Sequence, residues 1–568
     1  MNRIIPSRRL DALMLAVACA SLAACGGNDA PPPPPPPPAT APTITAQPSA
    51  TVTVAEGATA ALAVTAESNA GALSYQWRSG STTPSTIAGA TAASYPTPAA
   101  SLLDDTKVFS VAVSNSVGTT TSGNATLSVT ERSWSGLTLP RAAQGTSDTP
   151  MGNPSLSVAI DSLGATYMVF SEQRTNGSRA LRISYTPAGQ SSPQSTSWLG
   201  ALNLPANVSE HDVKLVASDN GHVLAVWREG SLDDIGGVIK AALLQPGGGS
   251  RSGFAAISGG ADAASPTAAY VGDGKFEIVW RQLASSEVTA YDIVARRLVF
   301  NSTVTNGQLL GIEAIEDESA NALAPQIASD GAGNVLVAFS TNADFERSYA
   351  NARNAAATAW TAANTQQFAG LYPVRLSSLT MNAQGRAVAL MRGALTRVYM
   401  SQYQFAGNES AWSGEAQYVA NHNPNLAPAV EPLAVFGAGN DFTIVSAHNG
   451  GAFLSVWPCQ ALACGEVQTF LNASRPNAIT QLRAGRDAAG NLIVLFGLDM
   501  GSTFGVMASA MRFHAGLNVW RSMATAGTLG VDQVSGPLQL VVNPNGSAVA
   551  LMPAAINDQT LARAWNFR

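Results

Sequence analysis

"PQIASDGAGNVLVAFS", residues Pro325–Ser340, holds two short apolar runs folded about a Gly-Asn turn, and near-copies of it recur along the chain. Asp or Asn beside Gly supplies the positive φ that a tight turn demands, so each copy predicts a β-hairpin. The turn glycines are Gly164, Gly221, Gly274, Gly333, Gly385, Gly439, Gly490 and Gly546, spaced 57, 53, 59, 52, 54, 51 and 56 residues apart. The first strand reads "PSLSVAID", "KLVASD" or "VRLSSLT"; the second is more apolar, as in "ATYMVF", "VLAVW", "FEIVW" and "AVALM". A third run comes after a polar loop ("RALRISY", "VYMSQYQF"), and a fourth often starts at a tryptophan: Trp198, Trp360, Trp412 and Trp520. Four strands in a repeat of this length predict the blades of a β-propeller.

The two ends of the repeat region decide between a ring and an open array. The fourth-strand tryptophan lies 27 to 34 residues after its turn glycine, yet only 22 residues remain after Gly546. The last unit therefore lacks a strand, and "RSWSGLTLPRAAQG", with Trp134, stands ahead of the first hairpin where a fourth strand belongs. A last sheet completed by the start of the region hides edges that would otherwise template aggregation. Residues 132–568 are thus expected to form an eight-bladed propeller closed by N- and C-terminal strands, with seven blades and an extra hairpin as the alternative.

The N-terminus gives an address. Arg3, Arg8 and Arg9 precede the apolar "LMLAVACASLAA", the pattern of a secretion signal over residues 1–24. It ends in "LAAC", Leu22 to Cys25, which resembles the lipobox of bacterial lipoproteins. That resemblance implies acyl chains on Cys25 holding the protein to a lipid bilayer. No Asp stands directly after Cys25, which within the family favours the outer membrane, on its periplasmic or its surface side. Residues 25–40 then include Pro31 to Pro38, an extended tether that lifts the folded part of the chain off the bilayer by about 25 Å.

Residues 41–131 show short β-type runs with turn signals, the sandwich pattern. The stretch resembles an immunoglobulin-like domain of the I-set kind: "EGATAALAV" matches strand B, "LSYQW" strand C with Trp77, and "DTKVFSVAVSNSVG" strand F. The family's disulfide cysteines align with Val64 and Val111, and Phe109 takes the place of the corner tyrosine. The expected fold class is accordingly all-β, a sandwich and then a propeller. The resemblance implies a spacer or adhesion unit.

Composition narrows the function. The chain has 568 residues, only 12% of them charged against 46% apolar, with a net charge of −6. An acidic chain without a basic stripe argues against nucleic acid. Cys459 and Cys464, in "WPCQALACGE", predict a disulfide in an oxidising compartment, between the third and fourth strands of blade six. The five histidines show no ligand spacing, so no metal and no cofactor are expected.

Many of the sparse charges fall in the loops that share one propeller rim: Glu172, Arg228, Asp233, Arg281, Asp344 and Arg392 among them, with Glu229, Glu313 and Glu316. Arg228, Arg281 and Arg392 each sit just past a second strand, in "VWRE", "VWRQ" and "LMRG". Guanidinium groups converging there would bind a carboxylate or another anion; rim loops are also polar simply because they are wet. The arginines invite comparison with sialidases, whose propellers carry an arginine cluster, but the sialidase Asp-box is not met and no Tyr–Glu pair can be assigned. Two functions stay open: a binding, scaffolding or adhesion platform for an unknown protein, peptide or glycan, and a sialidase-like glycoside hydrolase acting on anionic glycans.

Overall fold

The structure is a computed structural model that describes residues 37–568, apart from 138–154, 174–177, 191, 200–204, 206–207, 232–236, 249–250, 261, 286–287, 301–306, 317–320, 343–345, 369–373, 394–396, 406–410, 414–416, 420–429, 438, 449–452, 461–462, 466–467, 471–477, 500–504, 523–532, 535 and 557–558. The signal, Cys25, Asp233 and Asp344 lie outside the described residues. The chain divides into two compact units. One takes the described part of Met1–Val52 with Ala61–Pro96 and Lys107–Thr126; the other takes Thr53–Ala60, Thr97–Thr106 and Leu127–Arg568.

In the first unit, Val108–Ser114 pairs antiparallel with Ser74–Ser79 and with Thr119–Thr121. Trp77 stands opposite Val111 in that ladder, both side chains fully buried, and Val64 is buried as well. The Trp77 indole Nε1 donates to the Ala92 carbonyl at 3.0 Å, which satisfies its one polar atom within the core.

The second unit is built of consecutive antiparallel sheets, eight among the described residues. Sheet one runs Leu156–Ile160, Thr166–Gln173, Arg179–Thr186, Ser195–Trp198; sheet two runs Ser209–Ala217, Val223–Gly230, Val238–Leu244, Arg251–Ala256. Sheet three begins at Ala263–Gly272 and Lys275–Ser285, sheet four at Gln326–Ser329 and Val335–Thr341, and sheet five at Val374–Met381 and Arg386–Gly393. Sheet six begins at Leu433–Phe436 and Asp441–His448, and sheet seven at Ile479–Arg486 and Leu492–Asp499. Sheet eight takes Gln539–Val542, Ala548–Ile556 and Gln559–Phe567, and its outer strand is Trp134–Leu137, from the other end of the region.

That last pairing runs in unbroken register: Trp134 opposite Phe567, Ser135 opposite Asn566, Gly136 opposite Trp565 and Leu137 opposite Ala564. The start of the repeat region therefore completes its final sheet.

Each hairpin turns where the repeats place it. All eight turn glycines have positive φ, from 66° at Gly274 to 106° at Gly333. At Gly333 a Cβ would also stand 2.8 Å from that of Ala355, so both conformation and space require glycine there.

Packing between sheets runs round the ring. Tyr167, Val169 and Leu181 of sheet one interlock with Val213, Ala225 and Leu244 of sheet two. Further clusters join each sheet to the next, through Trp280, Phe339, Met391, Trp457 and Phe496. Sheet eight packs on sheet seven through Leu495 and Ala550, and on sheet one through Leu551, Val549, Phe170 and Val158. The stack thus returns to its start. Each such Leu, Val or Phe contributes about 1.5–3 kcal/mol by leaving water.

Two expectations about fourth strands are corrected. Trp360 does not begin one: the fourth strand of sheet four is Gln366–Gln367, and Trp360 is buried instead, its Nε1 donating to Glu277 Oε1 at 3.0 Å. The indole N–H adds one more donor to a buried carboxylate that Arg297 and Arg353 also bind, and a buried charge gains from each such partner. In sheets five and six the outer edge is split into two short strands, Ala411–Trp412 with Gln417–Tyr418 and Ala463–Cys464 with Gln468–Phe470. Cys459 and Cys464 are bonded and stand directly opposite each other in sheet six.

Candidate functional site

The charges expected at the rim mostly meet partners of their own unit. Glu172 forms an ion pair with Arg182 within sheet one, its carboxylate 3.0 Å from Nε. Glu229 pairs with Lys240 at 2.8 Å within sheet two. Glu313 accepts from the Trp360 backbone N–H at 2.5 Å and lies 3.7 Å from Arg353, which is itself bonded to Glu277. Arg297 also binds Glu277, at 2.9 Å, so sheets three and four share a buried ion network. Glu316 is buried and accepts from the Ile293 N–H at 3.2 Å.

Each of the three arginines has a described contact. Arg228 is fully buried and packs against Gly237, where a Cβ would stand 2.2 Å from its Nε. Arg281 lies over the Tyr291 ring at 4.6 Å. Arg392 lies 3.7 Å from Glu431, both side chains more than a third exposed, a pairing that contributes little to stability.

A different convergence forms at the first strands, which line the centre of the ring. Counting seven residues back from the turn glycine of sheet two reaches Lys214; the same step in sheet seven reaches Arg483. In the other sheets this position is Ser157, Thr267, Gln326, Ser378, Pro432 or Gln539, all neutral. Several of these stitch neighbouring first strands together. Ser157 Oγ accepts from the Leu215 N–H at 2.9 Å, and Gln326 accepts from Leu379 N–H at 2.8 Å and donates to Ser377 O at 3.1 Å.

Lys214 alternates with Val213 and Leu215, which enter the core, so its own side chain turns the other way and reaches water. Desolvation is the largest influence lowering its pKa, the positive charge of Arg483 lowers it further, and Asp212 opposes. Sheets two and seven are far apart in sequence, but Lys214 and Arg483 stand at the same step of a first strand, opposite Val226 and Leu495 of their second strands, and the ring of first strands brings that step to its centre. Burial likewise lowers the Arg483 pKa, and its guanidinium donates to Leu482 O at 2.7 Å.

Asp212 is the acid nearest this pair in sheet two. Burial would raise its pKa, but the hydrogen bond and charge of His211, with Arg228 and Lys214 beyond, hold it below the ordinary value. His211 Nδ1 lies 3.2 Å from the Asp212 carboxylate. Lys214 and Arg483 therefore outnumber the one carboxylate that acts on Lys214. Sequence alone singled out Arg228 but missed Lys214 and Arg483. The signal lay in the repeats: aligned on their glycines, two basic residues occupy a position that is neutral elsewhere. Among the described residues, no three His, Cys, Asp or Glu side chains stand together as metal ligands.

The ring of antiparallel sheets defines an all-β protein of the β-propeller kind. The chain matches no protein-family model and no curated relative. Among solved structures it is similar to a prolyl endopeptidase, at 10% identity and a TM-score of 0.41, over 72% of this chain and 55% of that one. It thus spans little more than half of that enzyme. It is also similar to an α-L-arabinanase of Penicillium chrysogenum (10% identity, TM-score 0.34, 57% of this chain and 96% of that one). A mutant of the NanB sialidase of Streptococcus pneumoniae is matched at 8% identity and a TM-score of 0.33, over 76% of this chain and 71% of that one. Likeness at this level transfers no activity, substrate or residue role.

Proposed function

We propose that the protein is an outer-membrane lipoprotein, held by lipid on Cys25, that presents an eight-bladed propeller as a binding or scaffolding platform. An immunoglobulin-like module and the polyproline tether act as its stalk. The lipobox "LAAC" and the run Pro31 to Pro38 support the anchor and the spacer. The eight sheets, with cores running from each to the next and from the last to the first, support the blade count.

One observation favours binding over hydrolysis. A glycosidase needs two carboxylates free to flank a glycosidic bond as acid and as nucleophile or base. Three of the described rim carboxylates, Glu172, Glu229 and Glu313, are instead engaged by Arg182, Lys240 and Arg353. Groups fixed as ion-pair partners serve the fold.

Two measurements test the reading. Cys25→Ala should move the protein from the membrane pellet to the soluble fraction; an unchanged pellet removes the anchor. A pull-down from envelope extract, run beside a glycosidase substrate panel, should give a retained ligand and no turnover. Turnover that disappears in Arg281→Ala would replace the platform with an enzyme.

A further inference from the structure

The geometry points to an oxyanion site in the centre of the ring, in which Lys214 and Arg483 hold a carboxylate or phosphate group of the ligand between them. This deepens the platform reading, and it rests on the ring being closed.

Two cations project from equivalent steps of first strands in sheets two and seven, while the other six sheets place neutral residues at that step. Among the described residues neither Lys214 nor Arg483 has an ion pair; Arg483 spends one N–H on the Leu482 carbonyl, and Lys214 has only Asp212 as a nearby acid. Asp212 is already held by His211, and buried Arg228 lies within electrostatic reach of it. In a chain of net charge −6, this spot carries an excess of positive charge.

Like charges enclosed together repel, and desolvation makes each costlier to keep. An anion between them turns one repulsion into two attractions. Arg supplies a planar fork that can grip an oxyanion through two N–H groups, and Lys supplies a compact second charge. Partial desolvation at the centre of the ring strengthens both contacts. Macromolecules with an exposed acidic group, or small acidic sugars, could each present such an oxyanion.

The test measures melting of the full chain against rising inorganic phosphate, glucuronate or glucose at constant ionic strength. Phosphate, glucuronate or both should raise the melting temperature with saturation, and glucose should not. Saturation by phosphate alone assigns a phosphorylated ligand; by glucuronate alone, a carboxylate. Lys214→Met and Arg483→Gln should each weaken the half-saturation point by about tenfold or more, while leaving the anion-free protein as stable as before or more so. Lys107→Met, which removes a cation from the first unit, should leave saturation unchanged. No saturable shift, or a shift that survives in the double variant, overturns the site. Release from the membrane pellet and turnover on the glycosidase panel are separate readouts, so the platform reading and the anion site can fail independently.

Discussion

Trp134 and Phe567 face each other across the ladder that joins the two ends of the sheet region, their ring centroids 5.3 Å apart. Both are buried in a cluster with Leu495, Ala550 and Met552. Trp134 thus seals sheet eight and its contact with sheet seven at once. Truncation to Trp134→Ala should cost about 3–5 kcal/mol, the range for a large buried aromatic. Denaturant unfolding checks this, and the opened edge should also raise aggregation.

Acid should weaken the second unit through Glu56 and His514. Glu56 accepts from both terminal nitrogens of buried Arg512, at 2.6 and 2.7 Å. Burial works to raise its pKa, but Arg512 and Arg132 win, and the carboxyl lies below its ordinary value of 4.5. A depressed acid contributes stability that is full above 4.5 and lost as pH falls through the lower folded value. His514 is depressed below 6.5 by burial first and then by Arg512, against the pull of Glu131. The unfolded chain therefore takes up that proton first, and stability declines below 6.5. Melting temperature should fall from pH 7 to pH 5 and again towards pH 3. Arg512→Met should flatten the lower step and, by stranding Glu56, cost about 3 kcal/mol at neutral pH.

The hairpin turns depend on a side chain three residues before the glycine. Asp487 Oδ1 accepts from the Asn491 backbone N–H at 2.8 Å, and its Oδ2 accepts from the Asn491 amide at 2.8 Å. Asp330 and Asn334 repeat the arrangement, and Asn382 and Asp161 bind their own turns in the same way. Because Asp487 is buried, Asp487→Ala leaves backbone donors unmatched and should cost about 1–3 kcal/mol in chemical denaturation.

Reducing Cys459–Cys464 should matter less. The two cysteines are only five positions apart, and so short a closed loop restricts the unfolded chain little. Loss of about 2 kcal/mol on reduction, without loss of the fold, is expected from circular dichroism melts with and without reductant. Unfolding on reduction would give the bridge a larger role.

The ring was legible in the sequence because its signals are local and repeated. A positive φ needs glycine, and a second strand buried on both faces must be apolar, so Gly164 through Gly546 and the runs after them stand out. Trp134 could be read because the last repeat runs out of chain. Outer strands were harder to place: at a sheet's exposed edge little forces the pattern, and Trp360 was drawn off to Glu277. The candidate site was less legible still. Past a second strand, sequence does not say whether an arginine faces water, as Arg392 does in part, or is enclosed, as Arg228 is. Lys214 and Arg483 become a pair only once the ring folds sheets two and seven onto one lumen.

Closure is tested most directly by joining the two ends covalently. Gly136 stands opposite Trp565, with open space where its Cβ would go. Ser133 and Arg568 exchange both backbone hydrogen bonds, so Gly136–Trp565 falls on the alternate, closer kind of pair, with Cα atoms about 4.5 Å apart. In a Gly136→Cys/Trp565→Cys variant oxidised in its native state, peptide mapping should find a disulfide between the two introduced thiols, formed before denaturation and not after it. Two free thiols in the folded protein would contradict the closed ring.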